Sequence, residues 1–395
     1  MPMELLAPAG GPEQLASALH FGADAVYLAG TRWGMRAGAR NFAPDELAAA
    51  VGRAHTAGAA VHVTLNTVMY DDDIDALPTY LDFLDQIHVD AAIVADLGAA
   101  ALLRAHAPHV AIHLSTQASC TNAVAAQEYA RLGVRRIVLA REMTVAQIAE
   151  LRRRIPRDLE LEAFAHGSMC MAYSGRCLLS SEMTGGRRSA AQGSCAQPCR
   201  WAWTVVEDHT PDRPIDVVQD GHGSYLLSSN DLCMIEHLGD LAAAGVDAIK
   251  LEGRAKGSYY VAAVTNAYRH VLDGDPAAPW RAELDLVSHR PYSTGFFYGA
   301  PMQNPGRVDY ARDRVPVAVV DACRPAGDRW CATVTCRNKA AAGSLACVLS
   351  PRRPVREARL SCDLVRNGGQ YALDLPWPVE PLDMVCLRTD TYTNP

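Results

Sequence analysis

Through the first two thirds of the chain, short runs of β-branched and aliphatic residues alternate with Ala- and Leu-rich stretches of helical period. That alternation is the rhythm of βα units around a parallel sheet. The strand candidates are ELLAPA from Glu4, AVYLAG from Ala25, VHVTLN from Val61, AAIVAD from Ala91, AIHLST from Ala111, RIVLAR from Arg136, LELEAFAHG from Leu159 and AIKLEG from Ala248. Between them, PDELAAAVGRAHTAG from Pro44 and TVAQIAELRRRI from Thr144 read as helices. In the second, Thr144 suits an N-cap, and the Arg run falls in the last turn, where it complements the helix dipole. Eight such units predict an α/β fold, a closed (β/α)8 TIM-like barrel, with an open doubly wound sheet as the alternative.

The rhythm breaks once, with about 80 residues between strands seven and eight. This insertion, about 168–245, carries Cys170, Cys177, Cys195, Cys199 and Cys233 and is expected to end in a helix from Asp231 to Gly245. Loops of that length in a compact domain are usually functional. After SYYVAAVTNAYRHVLDG, Pro and Gly become frequent and the runs VPVAVVDA, WCATVTC, LACVLS, QYALDL and DMVCLR follow. The expected organisation is a barrel domain over 1–290 and a small all-β barrel or sandwich over 291–395. The six cysteines from Cys323 to Cys386 lie along that strand pattern and are expected as buried core thiols.

Composition narrows the picture further. Hydrophobic residues make up 49% of 395, enough for one large and one small core, and charged residues 21%. The net charge of −7 excludes a globally basic nucleic-acid footprint, so any RNA contact needs a local patch. The N-terminal residues MPMELLAPAG lack a basic segment followed by an apolar one, and no apolar run reaches membrane-spanning length, so a cytoplasmic location is expected. Twelve cysteines in that setting argue for metal ligation or buried thiols over a disulfide framework.

In a parallel barrel the C-terminal strand ends surround the active-site mouth. Those positions are Asn66, Asp96, Ser115, Gln117, Arg141, Glu142, His166, Lys250, Glu252 and Arg254. Together they describe a polar cavity of mixed charge, with Arg and Lys suited to a carboxylate or phosphate. For KLEGRAKG the alternative is a self-satisfied ion network on the surface. The cysteines of HGSMCMAYSGRC, GSCAQPCRW and SSNDLC suit a structural zinc or a cubane iron–sulfur cluster. Their spacing departs from the close double pairs of zinc ribbons, which favours iron–sulfur. Proteolysis has little support: HExxH and GxSxG are absent, and a Cys170–His166 pair has no discriminating local signature. Arg187 and Arg188 form a basic tip near Arg200, Trp201 and Trp203. Arginine beside aromatic rings can clamp and stack an unpaired base, while the tryptophans read equally as core.

These motifs, in order, resemble the collagenase-like peptidase U32 family. ELLAPAG, AVYLAG, VTLNTVMYDDD, IHLSTQASCTN, EAFAHGSMCMAYSGRCLLS, GSCAQPCRW, SSNDLC and KLEGRAKGSYYVAAVTNAYR carry the resemblance over 3 to about 270, and RNKAAAGSLACVL and VEPLDMVCLR extend it into the β-rich tail. Within the family the chain is most similar to the transfer-RNA hydroxylation branch. The resemblance implies oxygen-independent hydroxylation of an RNA base, the wobble uridine of tRNA, with a [4Fe–4S] cluster and prephenate as oxygen donor. It implies cluster ligands Cys170, Cys177 and Cys195, with Cys233 or Cys199 as the fourth. Two departures stand out, Asn230 where relatives carry Lys, and the segment DRPIDVVQDGHG.

On this reading Lys250 and Arg254 bind the carboxylates of a small dicarboxylate. Asn66, Gln117, His166 and Glu252 serve catalysis, Arg188 and Trp201 meet the RNA, and an electron-donor protein is a further partner. The rival is an endopeptidase with a metal or Cys170 as its working group, and a third reading is a non-catalytic scaffold for a partner subunit.

Overall fold

The computed structural model describes residues 3–36, 38–170, 177–201, 218–220, 223–225, 230–299, 313–365 and 369–389. Two compact units divide the chain: 1–15, 24–256 and 290–309 form one, and 16–23, 257–289 and 310–395 the other.

The first unit is a closed parallel barrel. Its strands are β1 (Glu4–Pro8), β2 (Ala25–Leu28), β3 (Ala60–Leu65), β4 (Ala91–Val94), β5 (Ala111–Leu114), β6 (Val134–Val138), β7 (Glu160–Ser168) and, after the insertion, β11 (Ala248–Leu251). Each pairs in parallel with the next, and β11 closes the ring by pairing with both β7 and β1. The strands β2, β4 and β11 are buried along their whole length, as expected where helices cover one face and the barrel interior the other. The intervening helices include α2 (Pro44–Thr56), α3 (Asp71–Gln86), α4 (Leu97–His106), α5 (Ala123–Arg131) and α6 (Val145–Arg154). Thr144 caps α6 as its sequence predicts: its Oγ1 accepts the Gln147 amide at 3.2 Å, while Gln147 reaches back to the Thr144 amide at 2.8 Å. Arg152, Arg153 and Arg154 occupy its last turn.

The insertion contributes α7 (Leu179–Met183), the short antiparallel strands β8 (Val218–Asp220) and β9 (Gly223–Tyr225), and β10 (Asp231–Cys233). The expected helix from Asp231 to Gly245 is shorter than its hydrophobic pattern suggests. Asp231–Cys233 instead adds antiparallel to the far half of β7, and helix begins only with a 3-10 turn at Ile235–His237, followed by α8 (Leu238–Ala243). The cause is an ion pair: the buried Asp231 carboxylate accepts the Arg290 amide at 3.1 Å and its guanidinium at 3.1 and 2.6 Å. That anchors β10 beside β12 (Tyr292–Ser293), with which it pairs in parallel.

The second unit holds α9 (Ser258–Leu272), α10 (Ala277–Leu284) and a six-stranded antiparallel sheet. Its strands are β13 (Arg314–Ala326), β14 (Arg329–Cys336), β15 (Leu345–Leu349), β16 (Arg356–Arg359), β17 (Gln370–Leu375) and β18 (Met384–Arg388), in the order β16-β15-β18-β13-β14-β17. Val317, Val320, Val334, Val348, Leu373 and Val385 lie in its core. Of the six cysteines expected there as buried thiols, Cys336, Cys347 and Cys386 are buried, whereas Cys323, Cys331 and Cys362 are partly exposed. For two of these the cause is local: past the register shift at Val320–Ala322, β13 runs into a more exposed hairpin with the start of β14, which leaves Cys331 partly exposed and Cys323 at the edge of the core, still packed against it.

Candidate active site at the mouth of the barrel

Side chains two apart on a strand point the same way. On β3 that brings His62 and Thr64 into one inward row, continued by Asn66 beyond the strand end; β5 adds His113 and Ser115, β7 adds Glu162 and Phe164, and β11 adds Lys250 and then Glu252. The upper members of these rows, with Tyr27, Met35, Arg36, Gln117, Arg141 and Arg254, line a cavity of about 40 Å3. That volume admits a few waters or one carboxylate group, so a larger ligand must enter end-on or widen the mouth.

Positive charge dominates the cavity wall. Arg36 grips the Glu252 carboxylate through Nε at 3.1 Å and Nη2 at 2.9 Å, and the Tyr27 hydroxyl lies 3.2 Å from the other carboxylate oxygen. Burial works against the Glu252 charge, but Arg36 and Arg141 more than offset it and hold the carboxyl down at about 2. Glu252 is therefore a fixed anion that orients Arg36, not a proton donor at neutral pH. Arg254 donates to Thr64 Oγ1 at 2.8 Å, and burial lowers its guanidinium to about 10. Arg141 donates to the Ser168 carbonyl at 3.1 Å and stacks 4.0 Å over the Phe164 ring. Among the described residues, Arg254 Nε, Arg141 Nε and Gln117 Oε1 are buried without a hydrogen-bond partner. Three arginines thus face one carboxylate, an arrangement suited to an anion with two charges. Asn66 donates to Ser115 Oγ at 3.2 Å and accepts the Met35 amide at 3.3 Å, which fixes its amide at the rim.

Lys250 is placed differently from its expected role. Its ammonium donates to Glu162 at 3.0 Å and lies 4.3 Å from the Tyr27 ring centre, so it forms the cavity floor and is already paired. Arg136 binds Glu4 at 2.6 and 2.9 Å, Glu160 at 2.7 Å and Glu162 at 3.4 Å. Burial opposes the Glu162 charge, yet Lys250 and Arg136 keep its pKa below the ordinary value. Beside this network His62 and His113 meet edge to face, ring centres 4.6 Å apart. Burial lowers His62 to about 4 and His113 well below the imidazole norm, so both are neutral at pH 7. The surface-network alternative for KLEGRAKG fails at Lys250 and Arg254, which are both buried.

The other expected positions fall outside the cavity. His166 is buried on β7 opposite Cys233, its ring 5.3 Å from that of Tyr292. Asp96 caps α4, accepting the Ala99 amide at 3.0 Å, and Glu142 is partly buried.

The cysteine-rich loop docks on the rim of the mouth. Val68 donates its amide to the Ala191 carbonyl at 3.0 Å, and Gly193, at φ +77°, lies so close that a Cβ there would fall 2.6 Å from the Gly34 carbonyl oxygen. Inside the loop Arg188 donates to the carbonyls of Ser194 at 2.9 Å and Cys195 at 2.8 Å, and Ser180 Oγ both donates to the Arg188 carbonyl and accepts the Ala196 amide, each at 2.9 Å. The Arg188 guanidinium therefore serves loop structure first, although the residue is exposed. Trp201 is 41% exposed, against the core reading, because the short 3-10 turn Pro198–Arg200 turns it outward. Trp203 and most of DRPIDVVQDGHG lie outside the described residues.

Cys170 is exposed, Cys177, Cys195 and Cys199 are partly exposed, and Cys233 is buried. The Gln197 amide donates to Cys195 Sγ at 3.3 Å, and Arg36 lies within electrostatic range of Cys170. Soft sulfur donors, a backbone N–H on one sulfur and a nearby guanidinium are chemistry that fits an iron–sulfur cluster. Among the described residues no three of these sulfurs come within 4.8 Å of one another, the spacing that shared ligation of a single ion needs; the ligands of a four-iron cluster stand farther apart.

Reading strand ends alone found much of the cavity but missed Tyr27, Arg36, Thr64 and Phe164, and beneath them His62, His113, Arg136 and Glu162. Extending each inward row by two residues would have recovered Thr64, His113 and Phe164, and by four His62 and Glu162. Arg36 lies in an irregular loop and carries no such signal.

Comparison with known proteins covers the same elements. Residues 10–306 match Peptidase family U32. A tRNA hydroxylation protein P1 of Bacillus subtilis is 39% identical over 306 residues, 75% of this chain and 71% of that protein. A 23S rRNA 5-hydroxycytidine synthase of Escherichia coli is 38% identical over 271 residues, 69% of this chain and 39% of that protein. A collagenase of Porphyromonas gingivalis is 33% identical over 314 residues, covering 75% and 73%. The match takes in every barrel strand from β2 onward, the arginine-lined mouth and the cysteine-rich loop, and on that extent the chain belongs to peptidase family U32.

Proposed function

We propose that this protein hydroxylates an RNA base, the wobble uridine of tRNA, without molecular oxygen. The observation that carries the reading is the excess of arginine lining the mouth, Arg36, Arg141 and the buried Arg254 against Glu252, beside the docked cysteine loop. Relatives named for tRNA hydroxylation and for 5-hydroxycytidine synthesis support the reaction class. Arg254 and Arg141 bind the carboxylates of a small dicarboxylate oxygen donor such as prephenate, and Arg36, held by Glu252, completes the anion site. Lys250 contributes positive potential from below while paired with Glu162. Asn66 and Gln117 orient groups at the rim. Trp201 offers an exposed face on which an unpaired base can stack, with Arg187 and Arg188 near the RNA backbone.

Cys170, Cys177 and Cys195, with Cys233 or Cys199, would hold a [4Fe–4S] cluster, which would supply one-electron chemistry when bound, with an electron-donor protein as a further partner. Mass spectrometry of tRNA from a deletion strain tests the proposal: 5-hydroxyuridine derivatives should disappear, and an unchanged nucleoside profile sinks it. The collagenase among the relatives keeps the peptidase rival in view. Anaerobically purified protein incubated with gelatin, beside a Cys170→Ala variant, decides between them: cleavage that the variant loses favours the rival.

A further inference from the structure

We propose that His62, His113 and Glu162 form a binding site for one divalent first-row transition-metal ion inside the barrel, one layer below the cavity floor. The site is separate from the cysteines and does not depend on the reading given to them.

One donor atom from each of the three residues lies within 4.8 Å of the others, and all three side chains are buried. Metal–nitrogen and metal–oxygen bonds to such an ion are ~2.0–2.2 Å long, so side-chain shifts of well under ~1 Å bring three atoms at this spacing onto one centre. Three alternate barrel strands, β3, β5 and β7, supply the residues, the way a barrel builds one interior layer. Thr64, Ser115 and Phe164, each two residues further along the chain, line the cavity above, so the site lies one layer beneath the mouth.

A second observation points to a ligand. The Nδ1 atoms of both histidines are buried and have no hydrogen-bond partner among the described residues. Buried polar atoms in proteins are almost always satisfied, and two adjacent imidazoles both lacking a partner call for an explanation. An edge-to-face contact satisfies neither nitrogen; a shared metal ion satisfies one from each ring.

The charge around the site leaves room for a cation. The carboxylates of Glu4, Glu160 and Glu162 face Arg136 and Lys250, three negative groups against two positive. Lys250 on one oxygen of Glu162 and Arg136 on the other hold that carboxylate in place, as outer-shell partners of metal-binding carboxylates do. Two imidazoles and one carboxylate select zinc, iron, cobalt or nickel over magnesium or calcium, which prefer all-oxygen sites.

Cobalt(II) is the probe, because its spectrum reports its ligands. Full-length protein carrying Cys170→Ser, Cys177→Ser, Cys195→Ser, Cys199→Ser and Cys233→Ser, stripped with chelator, is titrated with Co2+. One equivalent should bind with visible d–d absorption and no sulfur-to-cobalt charge transfer. Adding His113→Asn or His62→Asn should weaken binding by about a hundredfold or more while the circular dichroism spectrum stays that of the parent. Failure of the parent to bind Co2+, or undiminished binding by the histidine variants, overturns the proposal. Should the histidine variants unfold, X-ray absorption of the cobalt-loaded parent decides: imidazole scattering supports the site, and its absence overturns it.

Discussion

The barrel interior and the cysteine-rich loop face the same mouth but are built on opposite principles. Inside the barrel every charged group is set by neighbours drawn from several strands: Arg136 alone touches Glu4, Glu160 and Glu162, and Lys250 closes the network. The loop holds itself by local bonds, Ser180, Thr184, Arg188 and Ser194 satisfying one another's backbone, with its thiols turned partly to solvent. The lesson is that the interior fixes an electrostatic field before any ligand arrives, whereas the loop presents reactive atoms from a scaffold only as strong as a few exposed hydrogen bonds. Damage should therefore register as lost stability in the first region and as lost chemistry in the second.

Removing Glu162 should have the largest effect. Glu162→Ala strands Lys250 with an uncompensated buried charge, while Arg136 keeps Glu4 and Glu160, and should cost about 3–5 kcal/mol, read as a lower urea midpoint. Acid comes next. His62 is neutral and buried, with its pKa lowered from 6.5 to about 4, so between those values the unfolded chain takes up a proton that the folded one refuses. Stability is complete above pH 6.5 and falls by about 3 kcal/mol as pH drops towards 4. Denaturation of chelator-treated protein across that range should show the loss, and His62→Gln should flatten the profile by a similar amount.

Smaller effects separate binding from folding. Arg254→Gln or Arg141→Gln should raise the KM for the dicarboxylate by tenfold or more, since one charge-assisted hydrogen bond contributes about 1.5–3 kcal/mol. An unchanged KM would remove these arginines from the donor site. The smallest global effect belongs to the loop: Arg188→Ala should lower stability by no more than about 1 kcal/mol while speeding proteolytic nicking near Ser194. A loss as large as that of Glu162→Ala would erase the contrast drawn above.

Most of the fold was legible because periodicity is a local property. All eight barrel strands and the Thr144 cap follow from alternation and residue type, and so do five of the six strands in the second unit. The sixth, β16, was invisible: its REAR sequence carries charge on both faces and pairs only because β15 presents an edge to it. Asp231–Cys233 was misread as helix because the competing influence, Arg290, lies far along the chain. Strand-end logic placed Asn66, Gln117, Glu252 and Arg254 together, but it could not reveal that Lys250 is already bonded to Glu162. It gave no hint of Arg36 either, which reaches the cavity from an irregular loop. Long-range pairing, not propensity, decided each of these cases.

The seating of Gly193 against the Gly34 carbonyl carries a consequence for how the mouth can change. Because the loop rests backbone to backbone on the turn that also supplies Met35 and Arg36, the floor under the thiols and the wall of the anion pocket are one piece of chain. A single methyl group at 193 would wedge the two apart. Alanine at this one position would thus reshape the pocket and unseat the thiols together, with no charged or sulfur-bearing side chain altered.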